Sequence, residues 1–231
     1  MLRHIAKNLV ELGRNQLKMY KTIYPDVQRP DDAQPINILP TFIWKFSYNF
    51  KYEDNEYKSI IDAIIAETPD NQTSGSALEV GSAFSTVRNR HFRGDDFQPH
   101  MWDTLQNYNK WLESRVFYVW HYLNYDSAMP RIINSWLNVH KRTGKTEEHY
   151  HNHAPLVVSS YLNLPKDSGF IEFRDPLEYH KYGLPYEAQE YLWNPIQINT
   201  NDVLIFPGWI KHRTQESNSD EDRVVLTYNI G

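Results

Sequence analysis

A chain of 231 residues can bury a sizeable core, and the absence of cysteine excludes a disulfide scaffold or a thiolate metal site. The formal net charge of −5 argues against general nucleic-acid binding, which needs a basic surface. No uninterrupted apolar run suggests a secretory leader or a membrane span, so a cytoplasmic protein is expected.

In chain order, Leu2, Ile5, Leu9, Leu12, Leu17, Tyr20 and Ile23 fall along one helical face. This amphipathic helix is expected to pack on the domain or to form a homodimer. Pro25, Pro30, Pro35 and Pro40 make residues 24–40 an irregular connector. The expected division is therefore 1–38 for helix and connector and 39–231 for one domain, with a metal-site core from about 132. Aromatics at alternate positions from Phe42 to Tyr48 predict a strand with one buried face. The spacing of Ile60, Ile61 and Ile64 predicts a helix over Glu56–Glu67, stopped by Thr68-Pro69-Asp70. Residues 70–85 read as a polar loop, and Met101–Tyr125 as a second helix.

From Ile132 onward the texture changes to short strands separated by turns. They are expected at Ile132–Val139, His149–His153, Val157–Leu164, Phe170–Arg174, Ile196–Ile198, Val203–Phe206, Ile210–Gln215 and Arg223–Asn229. Asp175-Pro176 sets a turn, and the aromatic loop 177–194 is long enough to serve as a lid. The expected fold class is mainly β with flanking helices (α+β), around a jelly-roll or double-stranded β-helix core.

The chemistry concentrates in Glu148-His149-Tyr150-His151-Asn152-His153. Alternate side chains of an extended strand leave the same face, so these imidazoles can converge on a metal. A solvated His-rich turn is the bland alternative. Downstream, Asp202–Phe206, the Pro207-Gly208 turn and a returning strand deliver His212, 61 positions after His151 (212 − 151). Arg223 follows by eleven (223 − 212) on an apolar strand, where a guanidinium needs an anionic partner. That partner is either a bound carboxylate, held through the planar fork, or a carboxylate of the chain such as Asp175. Asn138 and Thr227 lie on strands that can line the same interior. His4, His91, His100, His121, His140 and His180 show no ligand spacing.

Ser135-Trp136-Leu137-Asn138, His151-x-His153, Phe173-Arg174-Asp175, the Asp202–His212 segment and Arg223–Asn229 together resemble the Fe(II)- and 2-oxoglutarate-dependent oxygenases, in particular members encoded by bacteriophages. The resemblance implies a 2-oxoglutarate/Fe(II)-dependent dioxygenase, a hydroxylase using Fe(II), 2-oxoglutarate and O2. It makes His151, His153 and His212 the metal ligands, with His149 able to replace either neighbour if the register shifts by two. Arg223 would bind the cosubstrate, with Asn138 and Thr227 beside it. His153 stands where the wider superfamily places an acid of its facial triad. The implied substrate is a protein side chain or a small molecule, in the host cytoplasm if the chain is phage-encoded. Two alternatives stand beside this reading: a cupin-type metalloenzyme without 2-oxoglutarate, and a non-catalytic jelly-roll binding or virion module.

Overall fold

The alternating aromatic run near Pro40 does form a strand, β1 (Trp44–Ser47), with burial that alternates along it. The computed structural model describes residues 41–52, 56–67, 78–87, 98–125, 129–178 and 192–231. The chain divides into two units, Met1–Thr41 and Phe42–Gly231, and the described elements belong to the second. The expected N-terminal helix, the connector, most of the loop 177–194, and His4, His91 and His180 lie outside the described residues.

Helix α1 (Glu56–Glu67) has the expected bounds. The stretch expected to be a loop instead contributes two short strands, β2 (Glu79–Val80) and β3 (Ala83–Ser85). Helix α2 (Gln106–Tyr122) buries Tyr108, Leu112, Val116, Val119 and Trp120, the stripe that its 3.6-residue period sets on one side. Then come β4 (Ile132–His140), β5 (Lys145–Thr146), β6 (Leu156–Asn163), β7 (Ile171–Arg174), β8 (Trp193–Ile196), β9 (Asp202–Pro207), β10 (His212–Thr214) and β11 (Arg223–Ile230).

Two of the expected strands need correction. His149–His153 is not a continuous strand: only His149 pairs, through an isolated bridge to His212, and residues 152–153 turn. The strand expected over Ile196–Ile198 lies earlier, at Trp193–Ile196. Ile198 is still buried, but the chain is already bending there, and the Asn199 amide donates to the Asp202 carboxylate at 2.8 Å. Pro195 is tolerated because β8 is a sheet edge.

The strands form a six-stranded sheet in the order β1-β9-β6-β11-β4-β3, a three-stranded sheet in the order β10-β7-β8, and the small pair β2-β5. Each pairing among the described strands is antiparallel. One core lies between the large sheet and the helices, where Val224, Leu226, Tyr228 and Ile230 of β11 meet Tyr108, Leu112 and Val116 of α2. A second core, with Val157, Tyr161, Phe173, Leu204, Phe206 and Val225, fills the space between the sheets. The two-residue period of β11 thus turns Arg223, Val225, Thr227 and Asn229 toward the inter-sheet space. Opposite them on β4 stand His140, Asn138, Trp136 and Asn134. This jelly roll is the expected fold class. None of the described helices is long and apolar enough to cross a membrane.

Candidate active site

His149 and His212 exchange both backbone hydrogen bonds, at 3.0 and 2.9 Å, which places their side chains together. The His151 amide donates to the Gly208 carbonyl at 2.8 Å, and the Gly208 amide to the Pro155 carbonyl at 3.0 Å. The Pro207-Gly208 turn therefore straps the two histidine-bearing segments to each other. The rings of His149 and His212 lie 4.3 Å apart between centroids, and those of His151 and His212 lie 5.3 Å apart and nearly parallel. Each of the three offers a ligand nitrogen within 4.8 Å of the others.

His153 does not join them. The turn at residues 152–153 ends the alternation on which its convergence depended, and its side chain is exposed. His149 takes the place expected for it, so the His-x-His pair that converges is His149-Tyr150-His151. Glu148 is engaged outside the cluster, 2.7 Å from Arg174 and 3.0 Å from Lys211. No carboxylate among the described residues belongs to the cluster.

The hydrogen bonds fix the tautomers. Nδ1 of His149 faces the Glu147 carbonyl at 2.8 Å, Nδ1 of His212 faces the Ile210 carbonyl at 2.9 Å, and Nδ1 of His151 faces Oδ1 of Asn229 at 2.7 Å. A carbonyl oxygen only accepts, so each Nδ1 carries the proton and each Nε2 presents a lone pair. Nε2 of His151 is buried without a hydrogen-bond partner. Burial holds all three rings neutral: it pushes His151 down to about 4, lowers His149, and puts His212 well below the usual histidine range, and for His151 and His212 the neighbouring imidazoles add to the effect. Trp136 stacks against His151, and Phe173 and Phe206 flank His212. The three histidines are an unprotonated, partly buried nitrogen set that fits a divalent metal.

Arg223 is the largest fully buried side chain among the described residues. It does not pair with Asp175, whose carboxylate accepts from the Leu177 amide and so closes the turn expected there. Arg223 donates to the Ser168 carbonyl at 3.0 Å, to the Gly169 carbonyl at 3.3 Å, and to Nδ1 of His140. Burial pulls its pKa down to about 10, against the opposing influence of Tyr161 and Glu79, so it stays charged at neutral pH. Of five guanidinium N–H groups these bonds engage three, and Nε is buried with no partner. Thr227 and Asn138 lie between Arg223 and the Asn229 end. The Asn138 amide donates to the Thr227 hydroxyl at 3.5 Å, while its own Oδ1 is buried and unpartnered. Tyr161, opposite Val225, completes this wall. From Arg223 to Asn229 the interior strand runs about 20 Å. A cation at one end, a neutral nitrogen triad at the other and unpaired polar atoms between them suit a dianionic chelator of a metal.

Sequence reasoning missed Asn229, Tyr161, His140 and Glu79. Asn229 and Tyr161 had a signal in the two-residue period of their strands, whereas Glu79 sits in a stretch with no period to read.

A two-sheet jelly roll thus brings together three histidines that could hold a metal ion and places a buried arginine on the same interior face. Residues 134–229 match the family described as "Putative 2OG-Fe(II) oxygenase". This segment is thus similar to the 2-oxoglutarate- and Fe(II)-dependent oxygenases, oxidoreductases whose cofactors are Fe(II), 2-oxoglutarate and dioxygen. Among solved structures, the non-haem α-ketoglutarate-dependent epimerase SnoN of nogalamycin biosynthesis is 12% identical, with a TM-score of 0.54 over 83% of this chain and 78% of that one. A prolyl-4-hydroxylase from Pseudomonas putida is 9% identical, with a TM-score of 0.52 over 82% and 92%. HygX from Streptomyces hygroscopicus, with nickel and 2-oxoglutarate bound, is 11% identical, with a TM-score of 0.52 over 83% and 83%. These likenesses show a shared fold. No curated protein matches the chain.

Proposed function

We propose that this oxygenase hydroxylates a protein side chain or a small molecule, with His149, His151 and His212 holding the ferrous ion and Arg223 holding the far carboxylate of 2-oxoglutarate. The observation that carries the reading is the tautomer pattern: three Nδ1–H groups are committed to carbonyl oxygens, and three Nε2 lone pairs are left to converge. Converging lone pairs repel unless a cation lies between them.

When bound, the ferrous ion and 2-oxoglutarate would activate dioxygen, which is the oxidant, with one oxygen atom going to the keto acid as it is converted to succinate and carbon dioxide and the other left for the substrate. The chain's own residues prepare the place. Asn229 holds His151 in the ligating tautomer, and the stacked Trp136 limits rotation of that ring. With three neutral ligands, the site leaves the full charge of a divalent ion to be balanced by the cosubstrate dianion. Arg223 offers two free donors to the far carboxylate, and Asn138 and Thr227 line the path to it. Val157, Phe173, Leu204, Phe206 and Val225 make the surrounding walls apolar, which keeps water out and strengthens each charge interaction within.

Calorimetry with Fe(II) under anaerobic conditions, followed by an assay of succinate formed from 2-oxoglutarate, tests the reading. One metal per chain and metal-dependent succinate release are expected. Metal binding without succinate would favour a cupin-type enzyme, and no metal binding at all would favour a binding module.

A further inference from the structure

Arg223 is held from behind by residues that the oxygenase reading does not use. His140 is 1% exposed and Glu79 is 8% exposed. Nε2 of His140 lies 2.9 Å from the Glu79 carboxylate, and Nδ1 accepts from the Arg223 guanidinium. The Thr146 hydroxyl donates to the same carboxylate, with its oxygen 3.2 and 3.0 Å from the two carboxylate oxygens. The backbone makes this possible: Glu79 of β2 pairs with Thr146 of β5, and His140 of β4 pairs with Arg223 of β11. Glu79 lies outside the segment that matches the family.

We propose that Glu79 and His140 are positioning residues for 2-oxoglutarate: they aim and neutralise Arg223 while leaving its carboxylate-binding edge open. The inference rests on Arg223 being the cosubstrate's anchor. A buried guanidinium needs a counter-charge when the cosubstrate is away. A carboxylate in direct contact would supply that charge but would occupy the donors that 2-oxoglutarate must use. Here an imidazole stands between the two charges. Because Glu79 only accepts, His140 must carry its proton on Nε2, and this leaves the Nδ1 lone pair for Arg223. One guanidinium donor is spent on His140 and two on backbone carbonyls, so two remain. The charge of Glu79 is felt at Arg223 without blocking it.

The test uses the full chain loaded with Fe(II) without oxygen, and measures affinity for 2-oxoglutarate and for 2-oxopentanoate, the same keto acid without the far carboxylate. Glu79→Gln removes the charge at nearly constant shape, and its amide can donate to Nε2 and so turn an N–H of His140 toward Arg223. His140→Leu removes the acceptor, and His140→Asn restores one near the Nδ1 position. The expected result is a loss of about tenfold in 2-oxoglutarate affinity for Glu79→Gln and His140→Leu, with most of it regained in His140→Asn. Affinities for metal and for 2-oxopentanoate should stay at the wild-type level. Should His140→Leu fail to fold, Glu79→Gln gives the answer alone. Equal losses for both keto acids, or a parallel loss of metal, would make the pair merely structural and overturn the proposal. Wild-type 2-oxoglutarate affinity in Glu79→Gln, alongside weakened binding in Arg223→Met, would overturn the proposal and leave the anchoring role of Arg223 standing. Wild-type affinity in Arg223→Met would remove both.

Discussion

His151 carries three separate constraints on one imidazole: Asn229 fixes its proton, Trp136 stacks on its face, and burial keeps it neutral. Truncation of His149, His151 or His212 to Ala should abolish stoichiometric metal binding in calorimetry, whereas His153→Ala should bind like wild type. Asn229→Leu keeps every proposed ligand but frees the tautomer, and a loss of about 10–100-fold in metal affinity is expected. The same burial sets the response of the metal-free protein to acid. His140 and His151 are each held down to about 4, chiefly by burial, against an ordinary value of 6.5. Between those values the unfolded chain binds protons that the folded chain refuses, so the unfolded state gains as pH falls. Stability is therefore whole above about pH 6.5 and is lost progressively toward pH 4. Urea midpoints of metal-free protein measured from pH 7.5 to pH 4.5 should fall in this way; a flat profile would mean that these rings are not buried as described.

At the level of elements, the Pro207-Gly208 turn matters most because it joins β9 to the segment that delivers His212. A Cβ on Gly208 would lie 1.9 Å from the Ala154 carbonyl oxygen and 3.1 Å from that of His151, and both neighbours are backbone. Gly208→Ala must separate the segments bearing His151 and His212. We expect a destabilisation of about 1–3 kcal/mol in chemical denaturation together with weakened metal binding. Much at this scale was legible in the sequence. The helix Glu56–Glu67 and the strands from Ile132 onward announced themselves through period and punctuation. His153 was misplaced because i, i+2 convergence requires an unbroken strand, and the turn after His151 is closed by contacts with residues far downstream, at Gly208. Strands β2 and β3 were invisible because two or three residues carry no period, and their pairing with β5 and β4 is set by tertiary structure.

For the molecule as a whole, the spacing of short strands indicated a jelly roll, and the resemblance carried by the histidine segments and the arginine eleven residues on pointed to an oxygenase. The sequence could not show which third histidine converges, or that Arg223 is backed by an imidazole and a carboxylate instead of pairing with Asp175. Both depend on how the sheets face each other. The proposed function requires the three histidines and Arg223 to address the two ends of one 2-oxoglutarate molecule. It is tested most directly by titrating 2-oxoglutarate into the anaerobic Fe(II) protein and following the metal-to-ligand charge-transfer band. A saturable band is expected in wild type and in His153→Ala, and none in His212→Ala. In Arg223→Met the same band should need about tenfold or more cosubstrate, with Arg223→Lys between. A band absent from wild type, or half-saturation unchanged in Arg223→Met, would rule out this placement of 2-oxoglutarate.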